Sequence, residues 1–266
     1  GHGGGLNAVP TLDTIPDQTM DEDSGLQTVS LTGISPGGSG ESGQVLTVRA
    51  SSDNPELISS PSVVYSSPNS VGTLSYSPVL NASGSAVLTV IVHDDGGTAN
   101  GGVDGLTNRF RVTISAVNDA PVLAAIPAQS VNEGSLLHVT PSASDVDGSV
   151  QALVYSLDPG APTGASIDPG TGAISWTPSE TQGPGTVTLT VRATDAGVPP
   201  RSGTQILTVT VNEVNLSPVM SPVGAQSVVE GAALSLSLNA TDADSPANQL
   251  SFSLGGGAPT GALALR

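Results

Sequence analysis

One fifteen-residue segment occurs three times along this 266-residue chain. The copies are VPTLDTIPDQTMDED from Val9, APVLAAIPAQSVNEG from Ala120 and SPVMSPVGAQSVVEG from Ser217. Their prolines and their glutamates are both spaced by 111 and then by 97 residues. The proline and the glutamate recur at the same two intervals, which indicates a repeated unit. Intervals of this length are typical of a series of similar domains of about 100 residues each.

The second and third copies stay in step beyond this segment. SASDVDG from Ser142 matches NATDADS from Asn239 at the same offset, and GAPTGA is identical from Gly160 and from Gly257. The third copy stops about half way through the repeat. We expect that half to be disordered unless another chain or further residues pair with it, since half a sandwich leaves edges unpaired. The predicted organisation is a tag remnant and linker at 1–8, repeat 1 at 9–117, repeat 2 at 118–215, and the N-terminal half of repeat 3 at 216–266.

Hydrophobic alternation within the second copy predicts strands rather than helices. Turn-forming DPG, DPGTG and GVPP sequences separate the apolar runs. About seven short strands in about 95 residues are typical of a Greek-key sandwich, so the fold class is predicted to be all-β. The strands predicted most clearly lie at 136–140, 153–157, 173–176, 187–193 and 205–211.

Composition excludes several classes of function. The chain has no cysteine, and its six basic residues are all arginines, so thiol chemistry, disulfides and lysine-based chemistry are absent. The formal charge of −17 repels nucleic acid and anionic lipid. No apolar run is long enough to span a membrane, which predicts no membrane insertion in this segment. The acidic residues occur in small clusters, and clustered carboxylates suggest bound divalent cations.

Several motifs of the second copy identify a family. VNEG, SDVDG, ASIDPGTGAISWTP, ATDAGVPP and the linker VNEVNLSP resemble bacterial cadherin-like and dystroglycan-type cadherin-like repeats. The first copy is similar to a more divergent immunoglobulin-like repeat of very large bacterial surface proteins. The resemblance implies tandem Greek-key immunoglobulin- or cadherin-like β-sandwiches, the last one truncated. It also implies an extracellular, cell-surface or secreted protein, although no export signal is visible, and a protein that is not an enzyme.

The same resemblance implies calcium between successive repeats. Ligands carried over from the family to the first junction are Glu22, Asn118, Asp119, Asp145, Asp147 and Asp195. Those carried over to the second junction are Glu133, Glu213, Asn215, Asp242 and Asp244.

This sequence departs from the family pattern at several ligand positions. Ala116 and Leu216 each replace a linker aspartate, and SWTPSE stands where the family has an Asp-Arg-Glu segment. In the first copy, GGSGESG replaces the Asp-x-Asp loop. We therefore expect one or two ions per junction instead of three.

Calcium chemistry explains why ligands would come from several segments. The ion takes about six to eight oxygens at roughly 2.3–2.6 Å, more than one strand can supply. Asp145 and Asp147, two residues apart, can place both carboxylates round one ion when the backbone turns, although loop aspartates also commonly cap turns. An ion shared by two domains would lock an otherwise loose hinge.

Other residues allow two interpretations each. Asp94 and Asp95 are either ligands for a junction further upstream or turn residues. His93 and His138 are interpreted as strand residues rather than metal ligands, and Trp176 as core rather than a sugar platform. The acidic run at 21–23 would suit glycoside hydrolysis, but no aromatic cleft accompanies it.

Two functions follow from the sequence. The first is a calcium-stiffened extracellular spacer or adhesion segment of a large bacterial surface or secreted protein. Its partners would be neighbouring repeats and another surface protein or polysaccharide. The alternative is a carbohydrate-binding module attached to a polysaccharide-acting protein, which would need exposed aromatic faces.

Overall fold

The computed structural model describes residues 6–147 and 152–264. Contacts divide the chain into two compact units, residues 1–118 and 119–266. Within the described residues, helix is limited to two three-residue 3-10 turns, Ala99–Gly101 and Glu180–Gln182. None of these helices is long and apolar enough to cross a membrane. The predicted all-β class is confirmed.

The first unit is a sandwich of two sheets. One sheet has the order β1-β7-β6-β3 and the other β2-β5-β4. β1 runs parallel to β7, whereas the remaining strand pairs are antiparallel. The strands are β1 (Gln18–Asp21), β2 (Gln27–Leu31), β3 (Thr47–Ser52), β4 (Ser62–Val64), β5 (Gly72–Tyr76), β6 (Gly84–His93) and β7 (Gly105–Ser115).

The second unit contains the sandwich of the second copy. Its larger sheet has the order β12-β15-β16-β9, with β9 parallel to β16, and a smaller sheet has the order β10-β14-β13. β8 and β11 form a separate pair. The strands are β8 (Val122–Leu123), β9 (Gln129–Asn132), β10 (Leu137–Val139), β11 (Ala143–Ser144), β12 (Val154–Leu157), β13 (Ser166–Ile167), β14 (Ile174–Trp176), β15 (Gly185–Thr194) and β16 (Ser202–Asn212).

Alternating side chains of the long hairpin β15–β16 form the centre of the second core. Leu189, Val191 and Ala193 on β15 are fully buried, as is Leu207 on β16, because every second residue of a strand faces the same side. Trp176 on β14 is 1% exposed and packs into the same cluster. The expectation that this tryptophan belongs to the core is confirmed.

The strands predicted for the second copy are confirmed, with small differences at their ends. β15 and β16 are longer than predicted, since they pair from Gly185 opposite Val211 to Thr194 opposite Ser202. The solvent-facing positions of these two strands are largely threonines. Threonine favours strands but adds no apolar residue to the alternating pattern, so the predicted strands are shorter than the observed ones. His93 ends β6 and His138 lies in β10, so both are strand residues as expected.

The third copy has little regular structure within residues 217–264. Its strands are β17 (Val219–Met220) and β18 (Ala240–Thr241), which pair with each other. Leu234 is 51% exposed, whereas Leu137, the equivalent position of the second copy, is 6% exposed. The apolar positions that the second copy buries thus remain open here, and disorder of this half-repeat stays a prediction.

Candidate metal centre

Glu133 is fixed at one end of the second sandwich by the parallel pairing of β9 with β16. Its backbone N–H donates to the Asn212 carbonyl (3.1 Å), and the Val214 N–H donates to its Oε2 (3.4 Å). Glu213 follows β16 directly. β16 therefore places the linker that follows it beside Glu133, which directly follows β9.

A third carboxylate joins this pair. Oxygens of Glu133, Glu180 and Glu213 all lie within 4.8 Å of one another. Glu180 begins the 3-10 turn after β14, where Ser179 and Gln182 form a capping box, with the Ser179 N–H donating to Gln182 Oε1 at 2.9 Å. The capped turn holds Glu180 facing the other two glutamates.

The three-glutamate cluster carries uncompensated negative charge. Glu133 is 6% exposed, and its Oε1 is buried without a hydrogen-bond partner in the described structure. Glu213 is exposed, but partial loss of hydration, and then the negative charges of Glu133, Glu180 and Asp244, raise its pKa. Within the described ranges, no arginine or histidine forms an ion pair with these carboxylates. A buried carboxylate oxygen without a partner is costly, and a hard cation bound by oxygen would satisfy it.

A glycine makes room for the buried glutamate. A Cβ placed on Gly183 would lie 2.4 Å from Glu133 Oε1 and 2.6 Å from Val211 Cγ1. No side chain larger than hydrogen fits there without displacing one of them. Gly183 is therefore part of the construction of this cluster.

The linker and the Asp-x-Asp loop of the third copy lie beside the cluster. The Leu216 N–H donates to Asp244 Oδ1 (2.8 Å), and the Asp244 N–H donates to Asp242 Oδ1 (3.1 Å). The Ser245 N–H donates to Glu180 Oε1 (3.0 Å), which ties this loop to the cluster.

Two asparagines complete that side of the centre. The Asn248 side-chain N–H₂ donates to Asn215 Oδ1 (3.1 Å) and also contacts an Asp244 oxygen. The structure therefore places every ligand predicted for the second junction near one end of the second sandwich. Carboxylate oxygens of Glu133 and Glu213 lie within 4.8 Å of each other, close enough to bind one ion.

Sequence reasoning missed Glu180. SWTPSE was interpreted as the loss of the family's Asp-Arg-Glu segment, yet its final glutamate supplies a carboxylate to the cluster. The available signal was an acidic residue two positions after Pro178, close behind the strand that ends in the buried Trp176.

The residues predicted for the first junction belong to two different units. In the second unit, the Asp119 N–H donates to Asp147 Oδ2 (2.6 Å) and the Asp147 N–H to Asp145 Oδ1 (3.0 Å). The Oδ2 atoms of Asp119 and Asp145 are buried without a partner in the described structure. Asp195, 5% exposed, follows β15 and accepts the N–H groups of Gly197 and Arg201.

In the first unit, Glu22 follows β1 and is 7% exposed. Its N–H donates to the Ser115 carbonyl (2.9 Å), and its Oε1 accepts the Val117 N–H (2.7 Å). Asn118 is the last residue of this unit. Sharing of one ion by the two groups of residues stays a prediction.

The remaining acidic loops of the first copy are held by hydrogen bonds. Asp94, 1% exposed, accepts the Asn7 side-chain N–H₂ (2.8 Å), and Asp95 accepts the Val45 N–H (2.8 Å). Glu41 of GGSGESG accepts the Ala8 N–H (2.9 Å). This hydrogen bond is equivalent to the one that Asp147 accepts from the Asp119 N–H in the second copy. The glycine-rich segment thus still supplies one loop carboxylate.

Comparison with known proteins agrees with this architecture. Residues 120–212 match the family model described as a putative Ig domain. Chitinase A of Pseudoalteromonas piscicida is 29% identical over 163 residues, covering 60% of this chain and 18% of that protein. Protocadherin Fat 4 of Homo sapiens is 32% identical over 176 residues, covering 62% of this chain and 4% of that protein.

The chain thus spans less than a fifth of the length of either relative. Among solved structures, human CDH23 EC21-23 aligns with a TM-score of 0.49 at 18% identity, covering 86% of this chain and 84% of that one. The predicted resemblance is confirmed. Residues 120–212 thus match an immunoglobulin-like family, and the chain is similar to cadherin-like, immunoglobulin-like repeats.

Proposed function

We propose that this chain is a calcium-stiffened spacer or adhesion segment, with calcium held where the second copy meets the third. Glu133, Glu180 and Glu213 would bind the ion. The observation that carries the proposal is the buried Glu133 Oε1, which has no partner in the described structure although two further carboxylates lie within 4.8 Å. Repulsion within the cluster favours a cation of high charge.

The chemistry of the donors fits calcium better than a transition metal. Carboxylate and amide oxygens are hard ligands, and no cysteine or histidine belongs to the cluster. Asp244 and Asn215 stand close by to add oxygens to the coordination sphere. Calcium would supply the positive charge that these residues lack.

Stiffening follows from where the donors are attached. Glu133, Glu180 and Glu213 belong to the second sandwich and its linker, while Asp244 belongs to the loop of the third copy that hydrogen-bonds to Glu180 through Ser245. An ion bound among them would restrict motion between these two segments. We propose the same role, by equivalence of the repeats, for Glu22, Asn118, Asp119, Asp145, Asp147 and Asp195 at the first junction.

We place the protein outside the cell, on a bacterial surface or secreted. Sites of this kind in extracellular modules bind calcium with a Kd of about 10⁻⁴–10⁻³ M, which requires calcium-rich surroundings. The relative from Pseudoalteromonas piscicida supports the bacterial assignment.

Calorimetric titration with calcium tests the proposal. The intact chain should bind with a Kd in the range of about 10⁻⁴–10⁻³ M, and the variant Glu133→Gln, Glu180→Gln, Glu213→Gln should lose the heat of the site they form. Small-angle scattering should show a narrower distribution of lengths with calcium than with chelator. Equal heats for the two proteins would reject the site, and unchanged scattering despite binding would reject stiffening.

The second candidate is a carbohydrate-binding module, favoured by similarity to a protein named Chitinase A. The aromatic residues do not support it, because Trp176, Tyr76 and Phe110 are 1–3% exposed and belong to the cores. A chitin pull-down tests it directly, since retention of the chain on chitin but not on an inert matrix would favour this function.

A further inference from the structure

All three arginines of the first copy lie on the outer face of one sheet. Arg49 is on β3, and Arg109 and Arg111 are on β7. Their neighbours Phe110 and Val112 are buried in the core, so alternation directs the arginines to solvent. All three are exposed.

The strand register gathers these residues into one patch. Arg109 and Arg111 are opposite Thr89 and Val87 of β6, and Arg49 is opposite Ile91 on the other side of that strand. With strands about 4.8 Å apart and about 6.8 Å between alternate residues, the three Cα atoms span roughly 10 by 14 Å. We name this patch the arginine face.

The arginine face forms no ion pair with a carboxylate in the described part of the chain. Ion pairs within 4.0 Å involve Arg192 with Asp158 and His93 with Asp104, but none of these three guanidinium groups. The nearest acidic residues in the register, Asp17 and Asp53, accept the backbone N–H groups of Arg111 and Val87 (both 2.7 Å).

Folding does not require arginine at these positions. In the second copy, the strand register places Ser156, Ile206 and Thr208 where the first copy has Arg49, Arg109 and Arg111. The same sandwich therefore forms without them. In a chain with six basic residues and a net charge of −17, collecting three cations on one face points to a negatively charged partner.

We propose that the arginine face binds a linear acidic polysaccharide through its carboxylate or sulfate groups. Guanidinium groups form paired hydrogen bonds with such groups, which lysine cannot match. Thr89 and the 41% exposed Ile91 of β6 lie between Arg49 and the two arginines of β7. They offer hydroxyl and apolar contacts to sugar rings.

Nucleic acid fits this face less well. Duplex DNA carries one charge per about 1.7 Å of axis, so most phosphates would be unpaired and repelled by the acidic remainder of the chain. A second copy of the chain carries the same net charge of −17, so two copies repel each other overall. Both partners are outcomes of the test below.

The test compares dextran sulfate with unsulfated dextran as probes of the intact chain, with calcium chelated so that the carboxylate clusters do not contribute. The wild type should bind only dextran sulfate, and binding should weaken as salt screens the charges. The variant Arg49→Gln, Arg109→Gln, Arg111→Gln should lose about tenfold in affinity, since each exposed ionic contact contributes a factor of about 1.5 to 5. Replacement of all three by lysine should give an intermediate loss.

Arg201→Gln is the matched control, because it removes an exposed arginine from the other unit, and it should bind like the wild type. Unchanged melting temperatures would show that the variants remain folded. Equal binding of wild type and triple glutamine variant, equal binding of both dextrans, or an equal loss for Arg201→Gln would overturn the proposal. So would tighter arginine-dependent binding of a DNA duplex, or arginine-dependent dimers in sedimentation without any polyanion.

Discussion

The C-terminal ends of the first and second sandwiches share a scaffold but differ in charge. In both, a buried glutamate follows the strand that runs parallel to the last strand. Glu22 accepts the Val117 N–H and Glu133 accepts the Val214 N–H. In the second copy two further glutamates approach this residue. The buried glutamate and its backbone hydrogen bond are thus common to both sandwiches, whereas the additional negative charge comes from individual side chains of the second copy.

The corresponding positions of the first copy are uncharged. Aligning SYSP at 75–78 with SWTP at 175–178 places Leu80, which is 74% exposed, at the position of Glu180. The offset of 97 places Ala116 at the position of Glu213. Two differences, at the positions of Glu180 and Glu213, thus distinguish the surroundings of Glu22 within its own unit from the three-glutamate cluster. We assign calcium affinity within a single unit to that cluster.

The largest expected effect comes from neutralising the buried glutamate. Glu133→Gln keeps the shape of the side chain but removes a charged ligand, so calcium affinity should fall by at least about tenfold. Without calcium the same variant should be as stable as the wild type or more stable, because repulsion with Glu180 and Glu213 is relieved. Calorimetry and melting curves measure the two effects.

Glu56→Gln is the control for this substitution, since Glu56 is exposed and lies in the first copy. It should leave both the affinity and the calcium-free stability unchanged. An equal loss of calcium affinity in this control would show that general charge, and not the cluster, attracts the ion.

The second effect tests the space beside Glu133. Gly183→Ala should destabilise the second sandwich by about 1–3 kcal/mol, as an added methyl group does in a well-packed site, and should weaken calcium binding because the carboxylate is displaced. Gly185→Ala is matched to it, since a Cβ there meets nothing within 4 Å. Similar denaturation midpoints for the two variants would contradict the assigned role of Gly183.

The third effect is a dependence on pH. Loss of hydration and neighbouring negative charges raise the pKa of Glu213, so the folded state binds a proton at this carboxylate more tightly than the unfolded state. In calcium-depleted buffer the resulting destabilisation is present above the folded pKa and is relieved as pH falls through it. Protons compete with calcium, so the gain in melting temperature on adding calcium should shrink from about pH 7 to about pH 5. A constant gain over that range would show that Glu213 does not take part.

The smallest effect is a gain of function in the first copy. Leu80→Glu with Ala116→Glu should recreate the cluster around Glu22. It should add heat of calcium binding that the control variant Leu80→Gln with Ala116→Gln lacks. With free calcium near the Kd, the expected stabilisation is about 0.4 kcal/mol. Identical titrations for the glutamate and glutamine variants would mean that the scaffolds differ in more than these two side chains.

Local patterns predicted the strands well because alternation is a property of neighbouring residues. The strands that form β15 and β16 followed from such patterns, and Glu133 as a candidate ligand followed from the family resemblance. Glu180 was missed because its assignment depended on a family motif that this chain lacks. The positions of Gly183 and of the arginine face depend on register between distant strands, which no single segment encodes.

The most direct test of the calcium cluster is a pair of melting curves, with calcium at about ten times the Kd and with chelator, for the wild type and for the variant Glu133→Gln, Glu180→Gln, Glu213→Gln. Magnesium at the same concentration is the ionic control. An ion that binds only the folded state should stabilise the wild type by about 1.4 kcal/mol, with a smaller effect in the variant and with magnesium. Equal calcium-induced shifts in the wild type and the variant would contradict the account.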